Sequence, residues 1–221
     1  DAFHAVHGTT PVQWLCENLN IDARWALVHI THARSDELEA VARAGATAVL
    51  CPMTEGNLGD GLFGAVHYQS AGGDWAIGTD ANLRCAVGEE LAWLEYGQRL
   101  RHARRTVLTA PDTSTGRSLY ECAAHGGARA TGQATGALRP GHLADSVGFS
   151  ARRFEWMSEL PSGSADEEYD RLLDAIVFGH VGAPDDVWSS GRHVVREGRH
   201  HDRERIWEQY RRCITRLRDR L

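Results

Sequence analysis

The chain has 221 residues, of which 42% are hydrophobic and 24% are charged, and its formal net charge is −6. This composition is ordinary for a globular protein with a sizeable core. The arginines, which supply all of the Lys+Arg total, are scattered, so no nucleic-acid-binding patch is visible. No apolar run approaches the length of a membrane span, and we therefore expect neither a nucleic acid nor a membrane as a partner.

The five cysteines lie far apart and form no Cys-x-x-Cys pair. This spacing argues against a disulfide framework and against a zinc knuckle built from thiolates. We therefore expect a reducing compartment and a cytoplasmic location. The sequence starts with Asp-Ala-Phe-His, without Met and without signal-peptide character, and we expect it to begin inside a longer protein.

Predicted helices and strands alternate through the first half of the chain. In chain order we predict a helix over 11–20, a strand over 25–30, a helix over 35–45, a strand over 46–51, a loop over 52–64, a short helix over 65–71, a strand over 75–80 and a helix over 86–104. This alternation indicates an α/β fold, because parallel strands need a crossover helix between them. Three such units cannot close an eight-stranded barrel, but they can be its last three.

The pattern changes after residue 110. We predict a helix over 114–127, a glycine-rich stretch over 128–150, a charged loop or partial helix over 151–170, a hairpin from Val187 to Gly198 and a charged helix over 202–221. The expected domains are accordingly a partial barrel over 1–127 and a C-terminal segment over 128–221.

Two polar residues follow predicted strands of the first half, His29 and Asp80. In a parallel barrel the functional residues lie at the carboxyl ends of the strands. A lone histidine in an apolar run can also be a satisfied structural residue, and a lone aspartate can cap a helix. The pattern by itself leaves both interpretations open. The pair Glu89-Glu90 is interpreted as the first turn of a helix, where carboxylates favour the helix dipole.

Several segments together resemble the amidohydrolase superfamily. Those that resemble its sixth, seventh and eighth barrel strands are Leu27-Val-His-Ile-Thr-His32, Cys51-Pro-Met-Thr-Glu-Gly-Asn-Leu-Gly-Asp-Gly61 and Gly78-Thr-Asp80. The stretch Glu89-Glu-Leu-Ala-Trp-Leu-Glu-Tyr-Gly-Gln-Arg-Leu100 is similar to the formimidoylglutamate deiminase family in particular. Segments 141–145 and 187–198 resemble the small β-sandwich that closes amidohydrolases. The resemblance implies the last three βα units of a TIM-type (β/α)8 barrel, part of a β-sandwich and a C-terminal helix.

The resemblance also implies roles for the two strand-end residues. Asp80 matches an aspartate that binds the metal and takes a proton from the attacking water, and His29 matches a histidine that positions the hydrolytic group. The barrel strands that carry the family's first-strand His-x-His pair and fifth-strand His-x-x-Glu segment are not in this sequence. The complete enzyme is expected to hold one divalent metal ion, most simply zinc, and to form a homo-oligomer, whereas the isolated chain is expected to be inactive.

Candidate substrate-binding residues are Glu55, Asn57 and Asn82. The first two belong to a glycine-containing loop. Its polar side chains can contact a substrate, but they can also stabilise turns by hydrogen bonds to the backbone. Asn82 stands, after Ala81, where the family usually shows Ser-His, and the resemblance implies that this position faces the substrate.

The family resemblance implies a small-molecule reaction, the hydrolysis of N-formimino-L-glutamate to N-formyl-L-glutamate and ammonia. One alternative is a guanine-type or other aromatic deaminase of the same superfamily. The other is a non-catalytic fragment that only associates with a partner chain.

Overall fold

The computed structural model describes residues 2–220, which form two compact units. The helices are α1 Ala2–His7, α2 Pro11–Asn18, α3 Ser35–Arg43, α4 Pro52–Leu58, α5 Ala65–Ser70, α6 Val87–His102, α7 Thr115–Thr131, α8 Ala165–Phe178 and α9 Arg203–Arg218. The strands are β1 Ala26–Val28, β2 Thr47–Leu50, β3 Trp75–Ile77, β4 Ser146–Gly148, β5 Asp186–Ser189, β6 Arg192–Arg196 and β7 Arg199–His200. A 3₁₀ segment, Ala151–Glu159, precedes α8. None of the helices described is long and apolar enough to cross a membrane.

The first unit is built on a parallel sheet in the order β1-β2-β3, as the alternating pattern predicts. Its central strand β2 is almost entirely buried, because helices cover the sheet and its residues are apolar apart from Thr47. The core of this unit includes Leu50 of β2 and Leu91 of α6, neither of which is exposed to solvent. Burial of each such side chain stabilises the fold by about 1.5–3 kcal/mol.

The segment 52–64, predicted as a loop, contains helix α4. Pro52 occupies its first turn, where the fixed φ of proline favours a helix and the missing N–H costs nothing. The Cys51 carbonyl accepts a hydrogen bond from the Glu55 N–H at 2.8 Å, and Gly59 ends the helix in the left-handed conformation. The loop prediction was therefore wrong, and α4 starts directly at the end of β2.

The stretch 151–170, expected as a charged loop or partial helix, is partly helical, with the 3₁₀ segment over 151–159 and helix α8 from Ala165, which continues beyond the predicted stretch to Phe178. Ser164 and Glu167 form a capping box at its start. Its buried residues Leu173 and Val177 belong to the first unit.

Because α8 packs within the first unit, the two compact units divide the chain differently from the predicted domains. The first unit extends to Ala137 and includes Leu160–Gly182, so it does not end at residue 127. The physical reason is close helix packing: a Cβ at Gly88 would lie 2.3 Å from the Ile176 carbonyl oxygen, and one at Gly116 would lie 2.6 Å from the Asp174 Cα. These glycines let α8 lie directly on α6 and α7.

The second unit comprises Leu138–Glu159 and the chain from Ala183 onward. It is an antiparallel sheet in the order β4-β5-β6-β7. The predicted hairpin is confirmed: β5 and β6 are joined by Ser190 and Gly191, both with the positive φ that a type I′ turn requires. Helix α9 follows the sheet, as predicted for the terminal charged segment.

Candidate active site

The three parallel strands end at one edge of the sheet. The His29 N–H donates to the Val49 carbonyl oxygen at 2.8 Å, and the Gly78 N–H donates to the Leu50 carbonyl oxygen at 2.8 Å. The ladder thus continues one residue beyond β1 and β3. This carboxyl edge is where an open α/β sheet collects functional groups.

His29 and Asp80 meet at this edge. The Nε2 atom of His29 lies 3.7 Å from Oδ2 of Asp80, which is longer than a hydrogen bond. Both side chains are partly open to solvent, at 37% and 43% exposure. The convergence expected from the strand ends is therefore present, and a third atom can reach both groups at once.

The backbone at both residues is unusual. His29 has φ 66° and Asp80 has φ 47°, and the β-branched Ile30 beside His29 has φ 42°. Histidine and aspartate tolerate the left-handed region better than most residues, but a β-branched residue there is an outlier. Sharp turns of this kind after a strand are typical of functional sites, where the surrounding structure offsets the strain.

Glu55 lies beneath His29. Its Oε1 atom is 3.2 Å from Nδ1 of His29 and accepts the Cys51 N–H at 2.8 Å. The Glu55 side chain is only 6% exposed. Glu55 therefore supports His29 from the protein side and leaves Nε2 facing Asp80.

Helix α4, which carries Glu55, is itself held from two directions. The Met53 N–H donates to Oε2 of Glu90 at 2.8 Å, and the Thr54 hydroxyl donates to the Thr79 carbonyl oxygen at 2.9 Å. Glu90 is fully buried on α6. Its burial raises the pKa of the Glu90 carboxyl, against the Met53 hydrogen bond that lowers it.

A donor cluster of His29, Cys51 and Glu55 has ligand atoms within 4.8 Å of one another. Burial, followed by the charges of Glu55, Asp80 and Glu90, raises the pKa of the Cys51 thiol to about 11. A metal there would have to displace the thiol proton and compete with the hydrogen bonds that Glu55 already makes. We therefore interpret this cluster as hydrogen-bonded support, and Asp80 remains the accessible carboxylate.

No family model matches the sequence, but comparisons with known proteins find similar chains. The chain is 44% identical over 207 residues to formimidoylglutamate deiminase from Pseudomonas aeruginosa, which corresponds to 93% of the chain and 44% of that protein. The crystal structure of an amidohydrolase from Brucella melitensis matches with a TM-score of 0.84 and 37% identity, over 97% of this chain and 46% of that one. The chain is a homologue of formimidoylglutamate deiminase with an amidohydrolase fold.

The chain spans a little under half the length of each of these two relatives. An adenosine deaminase from Xanthomonas campestris, solved with bound zinc, matches with a TM-score of 0.78 and 22% identity, over 99% of this chain and 48% of that one. At that identity the likeness shows the amidohydrolase fold alone.

The remaining predicted substrate-binding residues are Asn57 and Asn82. Asn57 is exposed on the last turn of α4. Asn82 accepts the Arg84 N–H at 2.9 Å and donates its own N–H to the Thr79 carbonyl oxygen at 3.0 Å, so it shapes the turn after Asp80. Contact of Glu55, Asn57 or Asn82 with a substrate stays a prediction, as do the catalytic roles of His29 and Asp80. The burial of Glu55 nevertheless favours a role in positioning His29.

The sequence missed the function of Glu90. The pair Glu89-Glu90 lies in the first turn of α6, as predicted, but the position of Glu90 beside Glu89 gave no sign that its carboxylate is buried. The carboxylate is buried and accepts a backbone N–H of α4, a contact that depends on α4 being a helix.

Proposed function

We propose that the complete protein hydrolyses N-formimino-L-glutamate to N-formyl-L-glutamate and ammonia. In this proposal the present chain supplies the last three βα units of an eight-stranded barrel, part of a β-sandwich and the terminal helix. The substrate assignment is supported by the 44% identity to the Pseudomonas aeruginosa deiminase. The reaction class is supported by the geometry at the sheet edge.

The observation that carries the reaction class is the separation of 3.7 Å between Nε2 of His29 and Oδ2 of Asp80. An oxygen atom between them can lie within hydrogen-bond reach of both, about 2.6–3.2 Å. Hydrolysis of a formimino group needs a group that takes a proton from water and a second that stabilises the reacting centre. A carboxylate and an imidazole at one sheet edge can do both.

The donor chemistry of this edge also fits a divalent metal ion. Asp80 is a partly exposed carboxylate, a ligand type that zinc accepts, whereas Nδ1 of His29 is committed to Glu55. We assign Asp80 as one ligand of a zinc ion whose other ligands lie outside this chain. When bound, such an ion lowers the pKa of a coordinated water to about 7.

The residues of this chain then have defined tasks. A carboxylate oxygen of Asp80 accepts a proton from the attacking water, and Nε2 of His29 hydrogen-bonds the oxygen that adds to the formimino carbon. Addition of this oxygen forms the C–O bond and converts the C=N bond into a single bond; loss of the hydroxyl proton then forms the C=O bond as the C–N bond to the terminal nitrogen breaks. That nitrogen leaves as ammonia, protonated by a group outside this chain.

The test is a comparison of substrates with the full-length, zinc-loaded protein. Ammonia release is measured with N-formimino-L-glutamate, guanine and adenosine, and the product of the first is identified by mass. We expect kcat/KM for N-formimino-L-glutamate to exceed the others by at least about 10²-fold, the discrimination that contacts to substrate polar groups can supply.

A preference for guanine or adenosine would contradict the substrate assignment and favour an aromatic deaminase. Absence of ammonia release from all three compounds, in protein shown to contain zinc, would contradict the reaction class and favour a non-catalytic role.

A further inference from the structure

We propose that Glu55 is the positioning residue of His29: it keeps the proton of the neutral imidazole on Nδ1, so that the free electron pair of Nε2 faces the reacting atoms beside Asp80. The inference rests on the proposed function for the reaction in which His29 takes part. It goes beyond that function by assigning a task to a buried carboxylate that does not face the open side of the site.

The contacts determine the tautomer. An ionised carboxylate can only accept hydrogen bonds, so the ring nitrogen that faces it has to be the donor. Nδ1 of His29 faces Oε1 of Glu55 at 3.2 Å. In the neutral ring the remaining nitrogen, Nε2, is therefore the acceptor, and it is the atom that points to Asp80.

Glu55 is held firmly enough to impose this choice. The same Oε1 atom accepts the Cys51 N–H at 2.8 Å, which anchors the carboxylate to the end of β2. The Glu55 side chain is 6% exposed, against 37% for His29, so the carboxylate has little freedom to turn towards solvent. A fixed acceptor on the buried side of a histidine is the usual means by which a protein sets the tautomer.

Helix α4 connects both members of the catalytic pair. Glu55 contacts His29 after β1, and its neighbour Thr54 donates to the carbonyl oxygen of Thr79, the residue before Asp80. One short helix thus sets the imidazole and the backbone that carries the carboxylate. The separation between Nε2 and Oδ2 follows from the position of α4.

The experiment uses the full-length, zinc-loaded protein with Glu55→Gln and Glu55→Leu. Gln keeps an acceptor oxygen of the same shape, whereas Leu fills similar space without an acceptor. The tautomer of the neutral His29 ring is read from ¹⁵N NMR of histidine-labelled protein, with the signal assigned by its loss in His29→Asn. Steady-state kcat, KM and zinc content are measured on the same samples.

We expect the wild-type ring to carry its proton on Nδ1 and Glu55→Gln to keep that tautomer, with kcat within about 10-fold of wild type. In Glu55→Leu the preference for Nδ1 should be lost and kcat should fall by about 10²-fold, the upper range for loss of such a partner. KM should change by less than about 3-fold, because Glu55 does not touch the substrate in this proposal.

Glu95 provides a matched control for a purely structural effect. It is a fully buried glutamate on α6 whose two carboxylate oxygens accept the N–H groups of Val107 and Leu108, both at 3.0 Å. Glu95→Leu should lower thermal stability while leaving kcat of the folded enzyme and the His29 tautomer unchanged.

Three results would overturn the proposal. A neutral wild-type ring protonated on Nε2 would contradict the tautomer directly. A raised KM with unchanged kcat in Glu55→Leu would make Glu55 a substrate-binding residue, and lost zinc would make it a ligand. The NMR measurement of the His29 tautomer does not depend on the substrate. If the wild-type protein is inactive on N-formimino-L-glutamate, the proposed function is contradicted. The tautomer of His29 in wild type and Glu55→Leu still tests the role of Glu55 in that case.

Discussion

Two buried glutamates, Glu55 and Glu90, hold the candidate active site, and they differ in how many hydrogen bonds their carboxylate oxygens accept. Oε1 of Glu55 accepts one backbone N–H and faces one imidazole nitrogen. Oε2 of Glu90 accepts the Met53 N–H, but its Oε1 has no hydrogen-bond partner among the residues described. Burial disfavours the charged carboxylate of Glu90, and a single hydrogen bond offsets little of this cost. The pKa of the Glu90 carboxyl is therefore raised.

The raised pKa of Glu90 leads to a pH-dependent prediction. Its stabilising contribution is fully present below the pKa of an unfolded glutamate, about 4.3, and is lost as the pH rises through the higher pKa of the folded state. Glu90→Gln mimics the neutral acid and keeps an acceptor for the Met53 N–H. We expect the variant to have a higher free energy of unfolding than wild type at pH 7.

Urea unfolding at a series of pH values tests this expectation. The advantage of Glu90→Gln should shrink on acidification and vanish well below the unfolded pKa of about 4.3, where the wild-type carboxyl is protonated in both states. The contrary result would be a Glu90→Gln variant that is less stable than wild type at neutral pH and loses this deficit on acidification. That result would show that the fold favours the charged form of Glu90.

The residues of the site were not equally predictable. His29 and Asp80 could be found because each follows an apolar strand, and parallel strands bring their ends together. The role of Glu90 could not be found, because its burial arises from a contact with α4 across 37 positions of sequence. A pair of carboxylates at a helix start has the same local pattern whether or not tertiary structure covers one of them.

Among the elements, α7 makes an unusually close approach to the sheet. A Cβ at Gly126 would lie 1.8 Å from the Trp75 carbonyl oxygen of β3, so only glycine fits at this contact. The next residue, Gly127, has nothing within 4 Å of the same position. A side chain is therefore excluded at Gly126 but has room at the adjacent Gly127.

This contrast predicts opposite effects of one substitution. Gly126→Ala should lower the free energy of unfolding by about 1–3 kcal/mol or more, because the backbone of α7 has to move away from β3. Gly127→Ala should raise it by about 0.5–1 kcal/mol, because alanine favours a helix interior. Chemical denaturation of the two variants and wild type compares them directly, and equal effects of the two substitutions would contradict the close packing of α7 on β3.

The strands and long helices were predictable because their apolar residues recur with the period of the element. Helix α4 was predicted as a loop and helix α8 was predicted only in part, for different physical reasons. α4 is short, begins with proline and contains a glycine, all of which suggest a loop. The first turns of α8 carry Asp166, Glu167 and Glu168, and its buried residues come only in its second half.

At the scale of the whole molecule, the outer strand β1 of the first unit's sheet is hydrogen-bonded to a neighbouring strand on one side only, among the residues described. Within residues 2–220, β1 pairs only with β2, and Val28 on β1 is 52% exposed. Proteins normally cover or pair such an edge. The chain also spans under half of its relatives' length, which agrees with the proposal that further strands and metal ligands come from the rest of the protein.

The central claim is that His29 and Asp80 of this chain act together in hydrolysis of N-formimino-L-glutamate by the full-length protein. Asp80→Asn keeps the shape of the side chain but removes its negative charge and its capacity to accept a proton. We expect a fall in kcat of at least about 10²–10⁴-fold, the range for loss of a general base. His29→Asn should fall by about 10²-fold while zinc content is retained.

The decisive measurement is ammonia release from N-formimino-L-glutamate by wild type, Asp80→Asn and His29→Asn, with zinc content determined in each. His32→Asn is the matched control, because His32 is exposed three residues beyond His29. We predict near wild-type turnover for His32→Asn and severe loss for the other two. Turnover of folded Asp80→Asn within a few-fold of wild type would contradict the joint role of His29 and Asp80.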